Sequence, residues 1–129
     1  MKVVEYFDRL TQLIESNPWI ASWDCIKDIR TSYEGFFKAR LYFVDGSWLE
    51  FREFVNCSGD QPQKYAYSYH YQNSSVLIFR YDNTPHFPGM ASFPHHKHLS
   101  TGNVQECPEP VFSAILAEIE TFLERSLPE

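Results

Sequence analysis

The chain is 129 residues long, 43% hydrophobic and carries a formal net charge of -6 at pH 7, which is the size of one domain, residues 1–129, with apolar content for one core. No apolar run approaches the ~20 residues that span a bilayer, and Glu5 and Asp8 interrupt the start of the chain where a signal peptide needs an unbroken apolar stretch, so a soluble, cytoplasmic protein with no membrane partner is expected. The negative charge argues against a general nucleic-acid coat, and three cysteines without a C-x-x-C pair read as reduced thiols.

Val3, Phe7, Leu10 and Ile14 recur at steps of three and four, which predicts an amphipathic helix over 2–16, stopped by Asn17-Pro18. A strand is expected over 25–33. Segments 36–43 and 48–55 flank Val44-Asp45-Gly46, a strong hairpin signal. With Gly46 in the left-handed position of a three-residue loop, Leu41 faces Leu49 and Ala39 faces Phe51, giving one apolar face. Lys38, Arg40, Tyr42, Glu50 and Arg52 then fall on the other, with Arg40 across from Glu50.

Residues 64–72 carry tyrosine at every second position, a strong strand signal. Tyr65, Tyr67, Tyr69 and Tyr71 are expected on one face, under a helix or in a homodimer contact, rather than stacking bases. If Asn73-Ser74-Ser75 all form the turn into the strand 76–82, His70 lies across from Ile78 and Ser68 across from Arg80, which leaves His70 and Arg80 on one face. A two-residue turn separates them. Phe112, Ile115, Leu116, Ile119, Phe122 and Leu123 predict a second amphipathic helix over 109–126. The expected fold is therefore α+β: a mostly antiparallel sheet of four to five strands, with N- and C-terminal helices packed on one face.

The functional signal is concentrated in 79–99. This turn-rich connection holds four of the five histidines. Between Gln61 and Gln105 the one acid, Asp82, is outnumbered by Lys64, Arg80 and Lys97, so a weakly basic patch sits in an acidic chain. Histidines titrate near neutrality, and a pair placed across a phosphodiester acts as base and acid while a guanidinium holds the developing charge. His86 with His96 or His98 supplies the pair, Arg80 and Lys97 the charge, and Asp82 the orienting group. This chemistry needs no cofactor. The same residues also suit a divalent metal, with His96 and His98 of an H-x-H step joined by Asp82 or His86. A third reading is a non-catalytic module that binds a partner protein through the histidine loop and the tyrosine row.

The stretches Phe79-Arg-Tyr-Asp-Asn-Thr-Pro-His86 and Phe93-Pro-His-His-Lys-His98, followed by a closing amphipathic helix, resemble the TumE family of toxins from prokaryotic toxin-antitoxin modules. The likeness lies in the C-terminal half of the chain. It implies a small cytoplasmic protein encoded beside an antitoxin that binds and neutralises it. Small toxins of such modules act most often as ribonucleases, so RNA is the substrate the resemblance implies, by analogy. The roles given to individual residues come from their side-chain chemistry alone.

Overall fold

The computed structural model describes residues 1–127. Among them the chain forms α1 (Val3–Glu15), β1 (Ile20–Ile29), β2 (Glu34–Phe43), β3 (Trp48–Asn56), β4 (Gln63–Asn73), β5 (Val76–Asp82), β6 (His96–Leu99), β7 (Val104–Glu106) and α2 (Phe112–Arg125). The strands make one sheet in sequential order, each antiparallel to its neighbour. The α+β class is as expected, but the sheet has seven strands, not four to five. The additional two are β6 and β7, four and three residues long. Their short, mostly polar sequences carry no strand period; β6 is a strand because β5 offers it an edge, and β7 because β6 does.

Both helices cover the same sheet face. The stripe Val3, Phe7, Leu10 and Ile14 of α1 is buried against it, with Phe7 5.2 Å from Phe37 between ring centroids. From α2, Phe112 stacks on Phe51 at 4.4 Å, and Phe122 meets Tyr71. Phe37, Ala39, Leu41, Leu49, Phe51, Tyr69 and Tyr71 complete this core. The opposite face has no helix on it. The 2–3 hairpin follows the expected register, with Leu41 opposite Leu49 and Arg40 opposite Glu50, and Gly46 turns at φ 87, a conformation that suits glycine.

Three expectations need correction. The first strand begins at Ile20, not at 25, and ends at Ile29. Its edge position leaves most of its side chains exposed, which weakens the alternation in sequence. Second, Tyr65 leaves the tyrosine row. Phe54 pairs with Ala66 and Val55 with Lys64, so Tyr65 is the extra residue of a β-bulge; it turns outward, 45% exposed, while Tyr67, Tyr69 and Tyr71 stay buried. Third, the turn after β4 has two residues, with Asn73 paired to Val76 and Ser74 at φ 54. A bulge at Ile78 restores the phase, so His70 lies opposite Arg80, not Ile78, and Ser68 opposite Asp82.

The first bulge has an energetic consequence at the core. Lys64 turns inward, and its ammonium lies 3.8 Å from Glu53, which is fully buried and accepts hydrogen bonds from the hydroxyls of Tyr6 and Tyr69. Burial lowers the Lys64 pKa, with Glu53 opposing. Truncating one partner of a buried pair leaves a charge without compensation. Glu53→Ala is expected to destabilise the fold by about 3–5 kcal/mol, read from the denaturant midpoint, and Glu53→Leu combined with Lys64→Met to recover most of that loss.

Candidate functional site

The uncovered sheet face carries the polar cluster. Along it, Arg40, Glu50, His70, Arg80 and His98 stand in one cross-strand row from β2 to β6, and Arg52, Ser68, Asp82 and His96 in the next. Register alone therefore brings Arg80, Asp82, His96 and His98 together, because β6 returns beside β5 with His96 opposite Asp82 and His98 opposite Arg80. The connection between the two strands is closed by short contacts. Ala91 donates to Glu106 at 3.1 Å, Ser92 Oγ to the His95 carbonyl at 2.6 Å, and the Cys107 amide to Ser92 Oγ at 3.2 Å.

Asp82 is the centre of the cluster and is 4% exposed. Four groups face its carboxylate: the Thr84 amide at 3.0 Å, Arg80 Nε at 3.1 Å, His96 Nε2 at 2.9 Å and His98 Nε2 at 3.4 Å. The Thr84 amide and Arg80 Nε donate hydrogen bonds to it, and the two imidazole nitrogens stand at ion-pair distance. Burial pushes its pKa up, but the Thr84 amide, His96 and Arg80 together outweigh burial and hold it below the usual value. Asp82 is thus an organiser that stays ionised.

Each neighbour has a second contact that fixes it. Arg80 Nη1 lies 3.3 Å from His70 Nδ1, and His70 Nε2 lies 2.8 Å from Gln72 Oε1. The guanidinium can only donate, so Nδ1 accepts from Arg80 and Nε2–H donates to Gln72. The ring also stacks on Trp48 at 5.4 Å. Arg80 is therefore held from two sides with a 38% exposed side chain, and its remaining N–H donors are free to meet an anion. His96 is buried, with Nδ1 3.0 Å from the Pro94 carbonyl. His98 is half-buried. Burial lowers its pKa from the ordinary 6.5, against the pull of Asp82 and together with repulsion from His96 and Arg80, a shift that favours the neutral ring. Phe87 caps the group, 4.9 Å from the His96 ring and 6.2 Å from that of His98.

Two of the sequence candidates lie apart. Lys97 points to the helical face, where its ammonium is 2.7 Å from Glu118 and 4.9 Å from the Tyr81 ring centroid. His86 is exposed on the loop after β5, against Phe87. His95 pairs with the Tyr67 hydroxyl at 2.8 Å, away from the carboxylate. Conversely, His70 joins the cluster through Arg80. Its signal in sequence was the alternation of β4, which needed the turn length and the Ile78 bulge to become a position. Farther along the face, Lys38, Arg40 and Arg52 all lie within 3.7 Å of Glu50, an excess of positive charge over one acid.

The carboxylate of Asp82 and the ring nitrogens of His96 and His98 lie within 4.8 Å of one another, a spacing that suits a divalent cation. The His96 Nδ1 contact with a carbonyl is also the support a metal-binding imidazole usually has. Against this stand the Thr84 amide and the Arg80 guanidinium already on Asp82, which a cation would have to displace or approach.

A family model described as Toxin TumE matches residues 10–124, most of the chain, and the chain belongs to this toxin family. No curated protein and no solved structure matches it. Among the described residues no helix is long and apolar enough to cross a membrane.

Because the folded-state pKa of Asp82 lies below its unfolded value of about 3.9, its contacts contribute stability at higher pH that is lost as pH falls through the folded value. Thermal melts of the parent and Asp82→Asn are expected to differ by a constant amount above about pH 5 and to converge below pH ~4 as the parent carboxylate protonates. A difference that grows on acidification contradicts this assignment.

Proposed function

We propose that this chain is the toxin of a toxin-antitoxin module and that it cleaves RNA on the uncovered sheet face. The observation that carries the reading is Arg80, fixed between Asp82 and His70 with the His98 ring beside the same carboxylate. A guanidinium immobilised in this way is preorganised for phosphate, and its remaining N–H donors need no rearrangement when charge develops on the phosphoryl oxygens. Asp82 facing Nε2 of His98 keeps the proton there and leaves Nδ1 as the acceptor, the logic of a carboxylate-oriented general base.

In the reaction proposed, the ribose 2′-oxygen forms a bond to phosphorus as the bond from phosphorus to the 5′-oxygen breaks. His98 takes the 2′ proton, and the departing 5′-oxygen takes its proton from solvent, because His86, the acid expected from sequence, lies apart from the cluster. The products are a 2′,3′-cyclic phosphate and a 5′-hydroxyl. His96 acts as a positioning residue, buried behind Asp82, and Lys97 braces α2. The partner is a cognate antitoxin protein, a role that follows from membership of the toxin family.

A second reading has one specific observation behind it, the convergence of Asp82, His96 and His98 donor atoms. There a divalent metal would be held by these three residues and supply Lewis acidity. Metal content of the purified protein, with cleavage assayed before and after chelation, separates the two. Retained activity in the chelated, metal-free protein supports the first, and loss with restoration by one cation supports the second.

Expressed without the antitoxin, the parent protein is expected to arrest growth and to cleave RNA when purified. Arg80→Ala and His98→Ala are each expected to reduce kcat/KM by roughly 10²–10⁴-fold, the usual contribution of a positioned acid, base or oxyanion donor. As the base must be neutral, kcat/KM rises with pH and reaches half its plateau below pH 6.5. Undiminished cleavage by His98→Ala at intact fold removes it as the base.

A further inference from the structure

The bulge in β4 places an aromatic residue where the strand's own pattern would bury it. Tyr65 turns onto the uncovered face and meets Phe54, with ring centroids 5.4 Å apart and planes inclined by 37°. The two rings form one wall of a cleft of about 380 Å³, whose other sides include Phe36, Arg52, Ser68 and Arg80. Among its lining residues the charged ones are both arginines. Asn83 holds this wall in place: its amide donates to the Tyr65 carbonyl, and its carbonyl accepts the Tyr67 amide, each at 3.0 Å. Asn83 and Thr84 are the residues directly after Asp82, and both line the cleft. Arg80 belongs to the cleft and to the Asp82 cluster alike.

This combination is an open aromatic surface with two guanidinium groups, Arg80 held by Asp82 and Arg52 at 3.7 Å from Glu50, and no carboxylate among its lining residues. Aromatic rings on a sheet bind unpaired bases through their π-faces, and arginines at their margin take the connecting phosphates. The cleft volume is within the roughly 300–1,000 Å³ of small-ligand sites. A duplex keeps its bases stacked on one another and presents only backbone, which the aromatic wall cannot use.

We propose that the Phe54–Tyr65 cleft is the substrate-selecting subsite: it takes one unpaired base of single-stranded RNA and places the neighbouring phosphate on Arg80. The ligand class rests on the RNA-cleavage reading above. The residues that define the subsite are outside the set assigned to that chemistry, Arg80 excepted.

The test uses a short fluorescein-labelled single-stranded RNA, 2′-O-methylated throughout so that transesterification cannot proceed, and the same RNA as a duplex. Binding by the full chain is measured by anisotropy, and unmodified RNA is assayed for cleavage in parallel. Tyr65→Ala is expected to raise Kd for the single strand by about tenfold while leaving duplex binding unchanged. Ala66→Phe, which fills the cleft from an exposed position and removes no native contact, is expected to do the same. The proposal is overturned if neither variant changes single-strand affinity, if the parent does not bind single-stranded RNA, or if the same substitutions weaken antitoxin binding and leave RNA binding intact. Loss of cleavage chemistry is a separate result. A parent that binds the single strand through Tyr65 yet never cleaves it keeps the subsite and refutes the ribonuclease reading.

Discussion

The Asp82 carboxylate is the constraint on which the polar half of this fold depends. A buried carboxylate without partners would be expensive by several kcal/mol, and here it accepts from the Thr84 amide and Arg80 Nε while His96 and His98 of β6 stand within 3.4 Å of it. That requirement explains why β6 exists. Residues 96–99 have weak strand character of their own, but their pairing with β5 is the arrangement that brings two imidazoles to one carboxylate while satisfying both backbones. The site and the edge of the sheet therefore form together, and neither is an ornament on the other.

Two bulges do the remaining positioning, and each shifts phase by a single residue in a strand whose side chains alternate with period two. The one at Ile78 sets His70 beside Arg80, so the guanidinium is held on its second side. The one at Tyr65 has the opposite sense at the other end of β4: it brings a lysine into the core and releases a tyrosine to the surface. The buried Lys64–Glu53 pair is thus the internal counterpart of an aromatic surface outside. A core arranged for stability alone would have kept four tyrosines inside and no buried ion pair, since such pairs rarely out-stabilise apolar packing.

The parts of the fold that were legible in sequence are those where side-chain period reports burial directly. The stripes of α1 and α2 and the alternation of β2 and β3 gave helices, hairpin and register because one face of each is fully dry. β1 was mispositioned because an edge strand with mostly exposed side chains has little pattern to read. β6 and β7 were invisible because their side chains were chosen for contacts across the sheet, not for strand propensity. At the site, Arg80, Asp82, His96 and His98 were readable as residue types crowded into one stretch, and the structure adds that they share one carboxylate. Lys97 was indistinguishable in sequence from its neighbours, yet strand alternation sends it to the opposite face from His96 and His98. His70, more distant in sequence, could be placed only through a bulge, and bulges leave no reliable trace in a single sequence.

The net charge of -6 and an RNA substrate are compatible once the charges are placed. Glu118, Glu120 and Glu124 lie on α2, across the thickness of the sheet from Arg40, Arg52 and Arg80. At physiological ionic strength the field of an exposed charge decays over about 8 Å, and two layers of secondary structure separate these three acids from the uncovered face, where register places Asp24 opposite Arg40 and Glu106 opposite His96. A phosphodiester approaching that face meets Lys38, Arg40 and Arg52 gathered around Glu50 and, beyond them, the immobilised Arg80. A face of mixed charge gives modest affinity, and under the proposed reading the part of it that attracts a phosphate is the cationic stretch from Lys38, Arg40 and Arg52 to Arg80.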